Sequence, residues 1–186
     1  MDALRKDNHY TYSDYITWDD RNRYELIDGA TYMMSPSPSR MHQEITGELL
    51  YKLKDFLKGK PCKVYTAPFD VRLNAGGEDD TVVQPDLVVV CDESKLDDKG
   101  CKGTPDLIIE IISPSTARYD KVIKLNQYLK SGVREYWIVE PDSKTVASYI
   151  LKNGQYIIRP YSEEDTAEVH VLEGCLINLH DVFSAY

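Results

Sequence analysis

Glu110 interrupts Leu107-Ile108-Ile109-Glu110-Ile111-Ile112, a run apolar at both strand parities that reads as a strand buried on both faces. A lone carboxylate there is costly, so it must be protonated, paired or bound to a cation. Asp86 raises a milder form of the same question: it stands directly before Leu87-Val88-Val89-Val90, behind Pro85, which marks a strand entry or an edge. If the two strands are neighbours, both carboxylates could converge on one hard cation. Magnesium, with manganese as its substitute, takes a few carboxylates and keeps several waters, and the backbone carbonyl of Ile111 could complete the protein's share.

Each residue also has a plain structural reading, Asp86 as a strand-entry or turn residue and Glu110 as a salt-bridge partner. The joint reading is chemical because a lysine-bearing segment follows Glu110 at once. At about 100° per residue on a helix, Ala117, Lys121, Lys124 and Tyr128 share one stripe, and Val122, Leu125 and Leu129 another. One ammonium could therefore face the carboxylates. Periodicity does not choose between Lys121 and Lys124, and Asp120 with Lys124 at i,i+4 also reads as an exposed ion pair worth a few tenths of a kcal/mol.

Other residues carry less. Glu25, in Tyr24-Glu25-Leu26-Ile27, is a candidate extra ligand or water-positioning base, or an outward-facing residue of an alternating strand. His42 falls on the apolar side of its helix, where a satisfied core histidine is the default. Asp70 and Arg72 alternate with Phe69, Val71 and Leu73, which suggests a cross-strand ion pair, and Trp137 reads as core.

The elements that must position these groups are short and closely punctuated. Thr11 to Trp18 reads as an opening helix, Arg23 to Met34 as a hairpin turned at Asp28-Gly29, and Ser39 to Lys58 as a long helix with Met41, Ile45, Leu49, Leu53 and Phe56 on one stripe. Strands follow at Val64 to Thr66, Phe69 to Leu73 and Thr81 to Cys91, then a polar loop from Asp92 to Gly103 and a strand from Asp106 to Ser113. Ser113-Pro114-Ser115-Thr116 offers hydroxyl caps for a helix that Gly132 closes. Glu135 to Glu140 is an apolar strand. Lys144 to Tyr161, turned at Asn153-Gly154, and Val169 to Leu179 read as antiparallel strands before a short segment from Asp181 to Ala185. The order predicts an α/β (α+β) core with a β-rich C-terminal part.

With 186 residues, 42% hydrophobic and 28% charged, the chain fits one domain over 1–186. It lacks a long apolar span, and Met1 to Asp7 has no apolar block of a secretory signal, so a cytoplasmic protein away from membranes is expected. The four cysteines, Cys62, Cys91, Cys101 and Cys175, show no paired or zinc-type spacing and read as free thiols. A net charge of -9 argues against tight nonspecific binding to a polyanion, so any nucleic-acid contact must be local.

Taken together, Gln84-Pro85-Asp86, Glu110-Ile111-Ile112 and the helix lysine resemble the PD-(D/E)xK nuclease superfamily, with its restriction endonuclease-like fold. More closely, the chain is similar to the bacterial family of short endonuclease-like proteins catalogued as domain of unknown function 820. The resemblance runs over roughly residues 10 to 182, through Tyr24 to Gly29, Pro68 to Leu73, Gln84 to Leu87, Glu110 to Thr116, Asp120, Lys124, Tyr128 and Gly132 to Trp137. Ile112 stands where the superfamily's simplest pattern has its lysine, and in this family the lysine comes from the following helix, which matches Lys124.

The resemblance implies a central mixed sheet flanked by helices and hydrolysis of phosphodiester bonds, in DNA sooner than RNA. Asp86, Glu110 and the Ile111 carbonyl would hold magnesium, with Lys124 and Glu25 completing the catalytic set. His42 corresponds to a site-adjacent residue, and Gln84, Asp120, Lys121 and Tyr128 are expected beside the site with it. A homodimer would suit double-strand cutting, by analogy at the level of fold. The alternatives are a catalytically silent nucleic-acid-binding module and an acidic protein-interaction module on the same fold.

Overall fold

The computed structural model describes residues 8–19, 22–34, 38–113 and 116–184. The Met1 to Asp7 stretch, Pro114 and Ser115 of the capping sequence, and Ala185 lie outside the described residues.

Local chemistry sets the first half. Thr11 caps the short helix α1 (Tyr12–Tyr15) in a capping box with Asp14. Strands β1 (Tyr24–Ile27) and β2 (Ala30–Met33) pair antiparallel around Asp28-Gly29, both at positive φ, which the two-residue turn requires and this dipeptide tolerates. The Ser39 side chain accepts from the His42 backbone to start α2 (Arg40–Leu57), which buries Ile45, Leu49, Leu53 and Leu57 along one stripe. Strands β3 (Lys63–Thr66), β4 (Asp70–Arg72), β5 (Val82–Val83) and β6 (Leu87–Val90) follow.

The segment expected to be a polar loop instead carries a 3-10 turn (Glu93–Lys95) and the strands β7 (Leu96–Asp97) and β8 (Gly100–Lys102), with β8 parallel to β4. Strands of two and three residues are too short to show alternation. Next come β9 (Leu107–Ile111), a π-helical turn (Tyr119–Lys124) running directly into α3 (Leu125–Ser131), and β10 (Glu135–Glu140). Gly132, at φ 80°, ends α3 in the left-handed conformation. The β-rich end comprises β11 (Thr145–Lys152) and β12 (Gln155–Ser162), turned at Asn153-Gly154, then β13 (Thr166–Glu168), β14 (Leu176–Asn178) and α4 (Leu179–Phe183). Of the strand expected over Val169 to Leu179, only its end forms, paired with β13.

The central sheet is mixed, in the order β12-β11-β10-β9-β6-β3, with β9 and β10 parallel and the other pairs antiparallel. A second sheet, β2-β1-β5-β4-β8-β7, packs near it. Every residue of β6 and β9 is buried, and successive side chains alternate between two cores. Leu87, Val89, Leu107, Ile109 and Ile111 meet α2 and α4 on one face; Val88, Val90, Ile108 and Ile112 meet Tyr128 of α3 and Val71 and Val83 of the second sheet on the other. This is the mixed α+β architecture expected from the sequence, with helices on both faces of the sheet. No helix of the described residues is long and apolar enough to cross a membrane.

The cysteine reading needs one correction. Cys101 and Cys175 are free and buried, but Cys62 and Cys91, just outside the β3–β6 ladder, form a disulfide. Antiparallel pairing brings together residues 29 apart, a proximity no motif spacing reveals. Reduction, or the Cys62→Ser/Cys91→Ser double variant, is expected to cost about 2–4 kcal/mol, read from denaturant midpoints with and without dithiothreitol.

Candidate active site

The β6–β9 register pairs Leu87 with Ile109 and Val88 with Ile108. Continued by one residue, it sets Asp86 opposite Glu110, with the same parity as Val88 and Ile108. Glu110 therefore leaves the central sheet on the side of Lys124 and Tyr128, while Asp86, in the bend before β6, sits at the end of the sheet between Ile111 and His42 of α2. Asp86 Oδ2 accepts from the Ile111 backbone N–H at 2.8 Å, and the Asp86 N–H lies 3.4 Å from Glu110 Oε2. The two groups converge on one point.

The amine arrives from the segment after β9. Lys124 Nζ lies 2.7 Å from Glu110 Oε1, 3.0 Å from Glu25 Oε1 and 3.7 Å from Asp120 Oδ1, and all four side chains are buried. Lys121, expected beside the site on the α-helical stripe, points away and pairs with Glu140 at 2.8 Å, with more than a third of its side chain exposed. The π turn is the reason: it carries more residues per turn than an α-helix, so two lysines three apart are set farther round the axis.

Tyr128 donates its hydroxyl to Glu110 Oε1 at 3.0 Å. Glu25 is buried and not outward-facing; its Oε1 also accepts the Gln84 backbone N–H at 2.7 Å, tying β1 to the approach of β6. The Gln84 side chain turns elsewhere, to Asp70, Tyr15 and Arg23. His42, from the first turn of α2, is half-buried rather than a core residue, with Nε2 3.1 Å from Asp86 Oδ2. Asp70 and Arg72 do not pair with each other. Arg72 binds Asp79, while Asp70 takes the Gln84 and Tyr15 side chains. Trp137 is core, as expected.

Charge is unevenly divided among these groups. Glu25, Asp86, Glu110 and Asp120 stand around Lys124 and His42. Burial pushes the Glu110 carboxyl well up against the pull of Lys124, and raises Asp120 for the same reason. Burial works to lower Lys124, but Glu110, Glu25 and Asp120 outweigh it and hold the ammonium charged well past the usual lysine range. Burial likewise works to lower His42, and Asp86 overrides it to give a net rise. The site thus sets four carboxyl groups around two basic side chains, with burial opposing charge on Glu110 and Asp120. It opens into a cleft of about 500 Å³ lined by Glu25, His42, Asp86, Glu110, Asp120 and Lys124 among others.

Among the described residues no three His, Cys, Asp or Glu side chains form a ready-made metal-holding group. The donor chemistry nevertheless fits a hard divalent cation. Glu110 spends Oε1 on Lys124 and Tyr128, and Asp86 spends Oδ2 on His42 and Ile111. Asp86 Oδ1 then accepts no hydrogen bond among the described residues, and Glu110 Oε2 has only the long contact to the Asp86 N–H. Each carboxylate has one oxygen to offer.

Residues 12–180 match the Uma2 family, whose description reads "Putative restriction endonuclease". The chain belongs to that family. It is 26% identical over 160 residues to "Uncharacterized protein slr1290" of Synechocystis sp., across 84% of this chain and 82% of that protein. In fold, the Uma2 chain resembles the crystal structure of a "putative nuclease belonging to DUF820" from Anabaena variabilis ATCC 29413, with a TM-score of 0.76, 19% identity, and 95% of this chain and 98% of that chain covered. The family expected from the sequence and its restriction endonuclease-like fold are thereby shown.

Proposed function

We propose that this Uma2 chain is a magnesium-dependent endonuclease that hydrolyses phosphodiester bonds of nucleic acid, with DNA the first substrate to try. The observation that carries the reading is the convergence of Asp86 and Glu110 from neighbouring strands beside the buried ammonium of Lys124. Asp86, Glu110 and the Ile111 carbonyl would hold the ion. When bound, a divalent cation supplies a bound water of lowered pKa and a Lewis acid for the developing phosphorane charge.

The remaining chemistry belongs to the chain. Lys124, kept charged by Glu25 and Asp120, faces the same point as Glu110 and can position a water proton or offset charge on a phosphoryl oxygen. Tyr128 fixes Glu110 by occupying Oε1, which leaves Oε2 for the cleft. His42 fixes Asp86 in the same way. Buried partners of this kind reduce the reorganisation needed at the moment of reaction, which is where an electrostatic site gains over water.

The test is supercoiled plasmid at low salt, where acidic proteins bind polyanions best. Open-circular or linear product should appear with Mg²⁺ or Mn²⁺ and disappear with EDTA. Intact plasmid and intact single strands under both ions would sink the reading.

A further inference from the structure

Beside the main cleft lies a second cavity of about 450 Å³, within the size range of small-molecule sites. Its wall is aromatic: Trp18 packs edge-on against Tyr15 and Tyr24, with ring centroids 5.5 and 5.4 Å apart. Half-buried Asp70 stands in the same cavity. Its Oδ1 accepts from both Tyr15 at 3.1 Å and Gln84 at 2.8 Å, and Oδ2 takes no donor among the described residues. Arg23 and Lys99 also line it, with the Arg23 guanidinium donating to Gln84 Oε1.

We propose that this cavity receives an unstacked nucleobase of the strand whose phosphate enters the main cleft. The proposal rests on the nuclease reading above, and three observations select this ligand. Aromatic rings offer a stacking surface that any base can use. The Gln84 and Tyr15 side chains hold Asp70 by Oδ1 and leave Oδ2 as a fixed acceptor for the amino or imino hydrogen of a base edge. The nearby cationic side chains Arg23 and Lys99 disfavour a cationic guest and suit the phosphates flanking a base. One residue joins the two cavities: Gln84 lines both, its backbone held by Glu25 of the main site and its side chain by Asp70. A base seated on Asp70 would therefore belong to a nucleotide close to the one at Asp86.

The experiment is binding in EDTA, which needs no cleavage. Short single strands carry a central 2-aminopurine or, at the same place, an abasic spacer. The wild-type protein should bind the base-containing strand about tenfold more tightly and quench its fluorescence. Trp18→Ala should erase that preference, and Trp18→Phe should keep most of it. Equal affinity of the wild type for the two strands overturns the proposal, as does a preference that survives Trp18→Ala. Plasmid cleavage without a base preference removes this pocket and leaves the nuclease; a base preference without cleavage does the reverse.

Discussion

Lys124→Met is expected to destabilise the protein by about 3–5 kcal/mol at pH 8 and to abolish metal-dependent cleavage. The ammonium is fully buried and answers Glu110, Glu25 and Asp120 at once, so its loss leaves three carboxylates facing one another out of water. The wild-type pair is itself a modest source of stability, since its mutual attraction is largely offset by the desolvation of both charges. Breaking it is another matter, because the uncompensated charge remains.

The penalty should depend on pH with a definite sign. Burial already holds Glu110 well above its reference value of 4.5, and removing the opposing Lys124 raises it further. A carboxyl whose folded pKa exceeds its unfolded one contributes stability that is intact below the unfolded pKa and is lost as pH rises through the folded value. The variant should therefore lose least near pH 4 to 5 and most near pH 8. Lys124 behaves consistently in the wild type: its folded pKa lies above 10.5, so its contribution persists throughout this window. Urea midpoints at the two pH values measure the difference, and adding Glu110→Gln to Lys124→Met should recover part of the loss at pH 8. A loss under 1 kcal/mol at pH 8 would mean that the ammonium is not electrostatically committed to the carboxylates.

The parts of this site legible in the sequence were those whose cost is local. A glutamate within an unbroken apolar strand is anomalous whatever the fold, and Glu110 is indeed buried and paired. Periodicity likewise found α2, and the turn dipeptides Asp28-Gly29 and Asn153-Gly154 found the two hairpins, because each signal is complete within a few neighbouring residues. The choice of Lys124 over Lys121 came from the family resemblance and not from periodicity, because a π turn follows from packing after β9 and leaves no mark at α-helical spacing. Glu25 was equally ambiguous: an isolated acid in an alternating strand points outward unless the sheet beyond it is covered, and β1 is covered by the lysine-bearing segment. His42 could be placed on the apolar side of α2, but only the β6–α2 packing shows that the apolar side ends at a carboxylate. The β4–β8 pairing and the Cys62–Cys91 bond join short segments far apart in the chain, and no local pattern encodes either.

Four buried or half-buried carboxyl groups crowd Lys124 and His42, and a divalent cation held among them should stabilise the fold measurably without substrate. A ligand that binds only the folded state stabilises it by about 2.7 kcal/mol at a hundredfold excess over its dissociation constant. For a chain of this length that corresponds to an increase of about 5–10 °C in Tm. Mg²⁺ or Mn²⁺ at saturation should give this shift by differential scanning fluorimetry, and Asp86→Asn and Glu110→Gln should each remove most of it. The carboxamides preserve size while replacing one oxygen of each side chain with a nitrogen that cannot ligate. Asp181→Asn, an exposed partner of Lys52 on the far end of the chain, should leave the shift unchanged. The comparison separates ligation from general effects of acid replacement, because all three variants exchange a carboxyl group for its carboxamide and only two stand where Asp86 Oδ1 and Glu110 Oε2 meet the cleft. A shift that survives both carboxamides would place the cation elsewhere and reduce Asp86 and Glu110 to members of an ion-pair network.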